Sequence, residues 1–201
     1  MLVDLDDVAF WMDAIRNNEN HFGVLESFWK GQLKSKVWLV EHLHNSHRRG
    51  PLNIVIFGGW NGVLSSLLFN SNIEINDIRS VDIDPTCEEV ANMICKRQEI
   101  DGKFNAITCD MCTYEYEYKP DLVINTSTEH ITQEQYNTWL ERVPQGTAIA
   151  IQNNNYIDIP DHIRCYNTIE EFEKTSGLSK VYTRDTLELP LYNRFLLIGR
   201  K

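Results

Sequence analysis

The feature that most constrains this chain is an alternation of short apolar, β-branched runs with segments of helical periodicity, beginning at "LNIVIF" (Leu52 to Phe57). A run with no polar interruption after Asn53 reads as a strand buried on both faces, as in a parallel sheet. "VLSSLLF" follows as a helix, "IRSVDI" as a second strand, and "PTCEEVANMICKRQEI" as a helix with Pro85 in its first turn, where a missing N–H is harmless. "FNAITCD", "DLVIN" and "GTAIAIQ" continue the series as strands. Thr132 and Gln135 fit a capping box ahead of the helix "YNTWLERV". Beyond the helical "TIEEFEKTSG", the runs "SKVYTRDTLEL" and "NRFLLIGRK", split by Pro190, read as an antiparallel pair. The expected class is α/β: an open, mostly parallel sheet with helices on both faces and a closing antiparallel pair.

Upstream, a short helix is expected around Val8 to Ile15. Leu25, Phe28, Trp29, Leu33, Val37, Val40 and Leu43 then recur at helical spacing up to the stop signals Gly50 and Pro51. At 201 residues, the length suits one domain, residues 1–201, with N-terminal helices over 1–50 covering a pocket and the core over 51–201.

The formal net charge of −10 disfavours a broad nucleic-acid footprint, although a local patch such as Lys30, Lys34 and Lys36, or Arg48 and Arg49, would not be repelled. Small molecules or a protein are the expected partners. No apolar run approaches the roughly 20 residues of a membrane span, and the aspartates of "MLVDLDDVAF" do not suit a signal peptide. Cys87, Cys95, Cys109, Cys112 and Cys165 are odd in number and read as reduced thiols, pointing to the cytoplasm.

In such a sheet ligands sit outside the carboxyl ends of the strands. The first strand ends in "FGGWNG", where Gly58, Gly59 and Gly62 allow close backbone approach and Asn61 adds a polar side chain. Trp60 stands where a dinucleotide fingerprint needs its second glycine, which argues against a pyrophosphate. Asp82, ending the second strand, suits both hydroxyls of a ribose, while Asp84 before Pro85 suits a helix cap. Asp110 ends the third strand, beside Met111. The C-x-x-C of Cys109 and Cys112 has no second pair at zinc spacing.

Taken together, the glycine turn, the acid before a proline, the acid after the third strand and the closing "RFLLIGRK" hairpin resemble the class I S-adenosylmethionine-dependent methyltransferases over roughly Leu39 to Lys201. The resemblance implies a seven-stranded Rossmann-like sheet and S-adenosylmethionine as cofactor. Gly58, Gly59, Trp60, Asn61 and Gly62 would wrap its methionine part, Asp82 would hold the ribose, Ile83 would lie against adenine, and Asp110 and Met111 would border the base. The acid that many members carry two places before the first glycine is Ile56 here. The pentad "GGWNG" is also similar to the loop of catechol-type O-methyltransferases, which bind magnesium through aspartates after the fourth and fifth strands. The matching loops here offer "NTSTEH" and "QNNNY", so no catalytic metal is expected.

The fourth loop, from Asn125 to His130, follows the strand beside which the methyl donor of that family lies. Asn125 is assigned to the cofactor, and Glu129 and His130 are the candidate general base; ordering of the loop by its polar residues is the alternative. Gln152, Asn153, Asn154 and Tyr156 are assigned to a polar substrate, with an asparagine-rich turn as the alternative. The expected activity is methyl transfer to an unidentified small-molecule or protein acceptor. An aminocarboxypropyl-type transferase resembling nicotianamine synthase, a non-catalytic cofactor-binding module and a nicotinamide oxidoreductase are the other readings.

Overall fold

The computed structural model describes residues 3–45 and 50–201; Arg48 and Arg49 of the expected basic patch lie outside the described residues. The seven strands, β1 (Leu52–Phe57), β2 (Ile75–Asp82), β3 (Phe104–Thr108), β4 (Leu122–Asn125), β5 (Ala148–Asn154), β6 (Lys180–Glu188) and β7 (Asn193–Arg200), run in the order β3-β2-β1-β4-β5-β7-β6, mostly parallel with an antiparallel C-terminal pair, as the strand pattern predicts. The chain divides into two compact units, Met1–Asp110 and Met111–Lys201.

The first unit begins with α1 (Leu5–Asn17), α2 (His21–Glu26) and α3 (Lys30–Asn45). The single long helix expected from Leu25 is therefore two, because the chain turns at Ser27, whose N–H and hydroxyl both bond back to the Val24 carbonyl. The strands β1 (Leu52–Phe57), β2 (Ile75–Asp82) and β3 (Phe104–Thr108) pair in parallel. Ile54, Val55, Ile56 and Phe57 are at most 1% exposed, so β1 is covered on both faces, as its apolar run requires. Two helices, α4 (Val63–Phe69) and α5 (Thr86–Ile94), follow β1 and β2. The helix expected over 85–100 breaks at Cys95 and resumes as α6 (Lys96–Ile100). The N-terminal helices are anchored on this layer: the Trp11 indole N–H donates to Ser66 Oγ at 3.0 Å, and Arg97 bridges Asp4 and the buried Asp7.

The second unit contains β4 (Leu122–Asn125), α7 (Gln133–Arg142), β5 (Ala148–Asn154), α8 (Ile169–Thr175), β6 (Lys180–Glu188) and β7 (Asn193–Arg200). The Thr132/Gln135 capping box opens α7 with both reciprocal bonds made. β4 and β5 are parallel. β7 runs antiparallel to both β5 and β6, so the last strand lies inside the sheet, buried from Arg194 to Gly199, while β6 keeps an edge-like alternation. Among the described residues no helix is long and apolar enough to cross a membrane.

Candidate functional site

The turn after β1 is built from unusual backbone. Gly58 and Gly62 have φ of 62° and 75°, and Trp60, with a φ of 47°, is among the described residues the one non-glycine in the left-handed region, a conformation costing an L-residue about 1–2 kcal/mol. What holds it there is Asp82. Its Oδ2 accepts the Trp60 N–H at 2.8 Å, and its Oδ1 accepts the Asp84 N–H at 3.1 Å. A hydrogen bond to a charged acceptor is worth about 1.5–3 kcal/mol, enough to offset the strain. Asp82 thus ties the end of β2 to the turn after β1. Both of its oxygens already hold an amide, so the ribose role expected of it rests on the second lone pair of each.

The glycines divide by role. A Cβ on Gly59 would lie 2.1 Å from Ser80 Oγ, and one on Gly62 would lie 3.0 Å from the Ala91 Cα. These two let the turn pack on β2 and on α5. This is a structural reason for Gly62 to be glycine, separate from the ligand approach the sequence suggests. Asn61 is buried and its amide reaches the Gly23 carbonyl at 3.5 Å, and Lys36 lies 5.9 Å from the Trp60 ring centroid. The N-terminal helices therefore contact the glycine turn directly.

Asp84 does what its position before a helix predicts. Its Oδ1 accepts from the Thr86 N–H and the Thr86 hydroxyl, and these bonds hold its carboxyl below the ordinary carboxylate range. Ile83 is 68% exposed, and Asp110 is exposed just beyond the end of β3. An open cleft of about 750 Å³ lies along α1 and α5, lined by Phe10, Asp13, Glu88, Met93 and Thr108. It includes neither the glycine turn nor Asp82, so it is not the cofactor candidate.

In the second unit, Asn125 ends β4 with Oδ1 accepting the Ser127 N–H at 3.0 Å and Nδ2 3.6 Å from Met111 Sδ. A single 3-10 turn, Thr128–His130, follows. Within it Glu129 is 3% exposed. Its Oε1 forms an ion pair with Arg194 Nη1 and accepts the Asn154 amide at 2.8 Å. Arg194 also donates to the Thr126 carbonyl and to Gln152 Oε1. The Glu129 carbonyl in turn receives the N–H groups of Ile163 and Arg164 at 2.9 and 3.0 Å.

Gln152, Asn153 and Asn154, assigned above to a substrate, are at most 1% exposed and belong to β5, paired residue by residue with β7, where they order the interior. Asn153 bonds Thr128 Oγ1 and the Arg164 carbonyl. Glu129 is buried and is tied to Arg194 and Asn154 through Oε1, which anchors the loop. His130 is exposed, with Nδ1 3.0 Å from the Asp161 carbonyl. Tyr156 is half-buried and stacks on Tyr192 at 5.2 Å and 10°.

Three residues of this region have no local sequence signature. Arg194 is separated from Glu129 by 65 positions. His162 stands edge-on to His130 with ring centroids 4.9 Å apart. Arg164, buried, lays its guanidinium 3.9 Å from the Tyr136 ring centroid. Cys165 lies beside Glu129; burial first, then the Glu129 charge, pushes its thiol up to about 11.

No protein-family profile matches the chain, and no curated protein does. Solved structures do resemble it. An N-methyltransferase, NodS from Bradyrhizobium japonicum WM9, in complex with S-adenosyl-L-homocysteine, aligns with a TM-score of 0.69 at 10% identity over 96% of this chain and 98% of its own. The S-adenosylmethionine-dependent methyltransferase SibL aligns at 0.65 and 15% identity over 98% of this chain and 70% of its own. A mutant of MtNAS in complex with S-adenosylmethionine aligns at 0.63 and 14% identity over 96% of this chain and 71% of its own. The fold is therefore that of the class I methyltransferases.

Proposed function

We propose that the protein is an S-adenosylmethionine-dependent methyltransferase acting on a small-molecule or protein acceptor. The observation that carries this reading is the coupling of the glycine turn to Asp82 through the Trp60 N–H. It fixes a carboxylate and a close-approach backbone together at the carboxyl ends of neighbouring parallel strands, where this type of sheet binds ligands. The fold likeness to proteins crystallised with S-adenosylhomocysteine and S-adenosylmethionine supports it.

In this reading Gly58 to Gly62 border the methionine part of the cofactor and Asp82 accepts from the ribose with its remaining lone pairs. The exposed Ile83 and the Asp110–Met111 pair border the base, and Asn125 is a further cofactor contact. The sulfonium supplies an activated methyl group, so the protein has to align an acceptor and take its proton where it has one. Of the two residues assigned to proton removal, His130 is the one with an accessible ring; Glu129 positions it. Tyr156 is the remaining candidate for acceptor contact. We place the protein in a reducing compartment such as the cytoplasm, where its five cysteines would stay thiols.

Calorimetry with S-adenosylhomocysteine against NAD tests the cofactor. Saturable binding of the former alone is expected, and no binding at millimolar concentration would reject the reading. Trp60→Gly should weaken S-adenosylhomocysteine at least severalfold while changing stability by less than about 1 kcal/mol, because glycine relieves the positive-φ strain as the indole contacts are lost. Aminocarboxypropyl transfer is the second reading, favoured by the likeness to MtNAS. Release of methylthioadenosine in place of S-adenosylhomocysteine would establish it, and cofactor binding without turnover would leave a binding module.

A further inference from the structure

We propose that Glu129, His130 and His162 form a site for one divalent transition-metal ion of the zinc and cobalt class. One ligand atom from each of the three lies within 4.8 Å of the others. The three are brought together by the Thr128–His130 turn and the segment around residues 161–163, whose Ile163 N–H bonds the Glu129 carbonyl.

Two independent features point to an ion. First, both imidazoles are held in the ligating tautomer. His130 Nδ1 is 3.0 Å from the Asp161 carbonyl and His162 Nδ1 is 2.7 Å from the Tyr156 carbonyl. A carbonyl only accepts, so each neutral ring carries its proton on Nδ1 and leaves a lone pair on Nε2. Metal-bound histidines are oriented by this same outer contact. Second, Glu129 uses Oε1 for Arg194 and Asn154, while Oε2 is buried with no hydrogen-bond partner. An unsatisfied buried oxygen costs about 1–3 kcal/mol, more when charged, and a bound cation would remove that cost.

The donor set selects the kind of ion. Two imidazoles and one carboxylate suit zinc, cobalt, nickel or ferrous iron, whereas magnesium and calcium need oxygen donors throughout. Arg194 already balances the Glu129 charge, so the attraction rests on the imidazole nitrogens. Tetrahedral ligands on zinc lie about 3.4 Å apart. The exposed His130 and the half-buried His162 can rotate to bring their free nitrogens to that spacing. Three protein ligands leave at least one position open. An ion there would bind water or an oxygen or nitrogen of an incoming molecule and favour its deprotonation near neutral pH. The site does not depend on the cofactor reading; an ion on His130 Nε2 would take over the proton-removing role proposed for that ring through its bound water.

The test is titration of chelator-stripped full-length protein with Zn²⁺ by calorimetry and with Co²⁺ by visible absorption, without S-adenosylhomocysteine. One ion per chain is expected, with a rise in Tm, and no saturable heat from Mg²⁺. His130→Ala and His162→Ala should each weaken Zn²⁺ at least about tenfold. His130 is exposed, so its variant should keep the metal-free Tm. His42→Ala with His44→Ala, on α3, should leave binding unchanged. Absence of saturable Zn²⁺ binding would overturn the proposal. So would binding that survives both triad substitutions, or binding lost only when the cysteine thiols are alkylated.

Discussion

The turn after β1 and the turn after β4 are both held in non-regular conformations by a carboxylate, and they are held in opposite ways. Asp82 accepts two main-chain N–H groups, from Trp60 and Asp84, and stays partly accessible. Glu129 is sealed in the interior and balanced by another side chain, Arg194, with Asn154 and Gln152 completing the set. The first device depends on backbone conformation and short-range order. The second depends on charge balance between residues far apart in sequence. Damage to them should therefore look different.

The largest effect is expected from Arg194→Met. It strands a buried carboxylate and should cost about 3–5 kcal/mol of stability in urea unfolding. Adding Glu129→Leu should recover much of that loss, since a buried ion pair replaced by apolar groups of similar volume is often near neutral. A double variant as unstable as the single one would show that the pair is not the organising element. Asp82→Asn should cost less, about 1–3 kcal/mol, because one amide nitrogen would face a backbone donor, and it should weaken S-adenosylhomocysteine binding. No second-site side-chain change can restore it, since the partners are main-chain amides. The smallest effect is at Asp84. Bonds from the Thr86 N–H and hydroxyl lower its carboxyl in the folded protein, so its contribution is present above the ordinary carboxylate range near pH 4 and is lost as pH falls through the lowered folded value. Asp84→Ala should cost about 0.5–1 kcal/mol at pH 7 and nothing once Asp84 is protonated. A gap independent of pH would remove the capping role.

What the sequence discloses follows the same division. The parallel strands, the Thr132 capping box, the C-terminal hairpin and Asp84 as a cap are legible because each rests on neighbouring residues. The breaks at Ser27 and Cys95 are not, because apolar spacing continues through both. Gln152, Asn153 and Asn154 read as a polar loop because polarity is taken for exposure. They are buried in β5, where Arg194, Thr128 and the Glu129 carboxylate satisfy them. The glycine turn is legible as a bend, but the packing of Gly62 against Ala91 has no trace in either segment alone. His130 and His162 are both visible as histidines, yet their pairing depends on a loop whose path is fixed by the Glu129 carbonyl.

Arg194 belongs to β7, the final strand, which enters between β5 and β6. As the chain emerges during synthesis, β4, its loop and β5 are all available before their charge partner exists. The Thr128–His130 turn therefore lacks the Arg194 ion pair until the last strand has threaded into place. Order around the two histidines becomes a late event, and a chain stalled or clipped before Arg194 would carry the glycine turn with all its partners but an unset second loop.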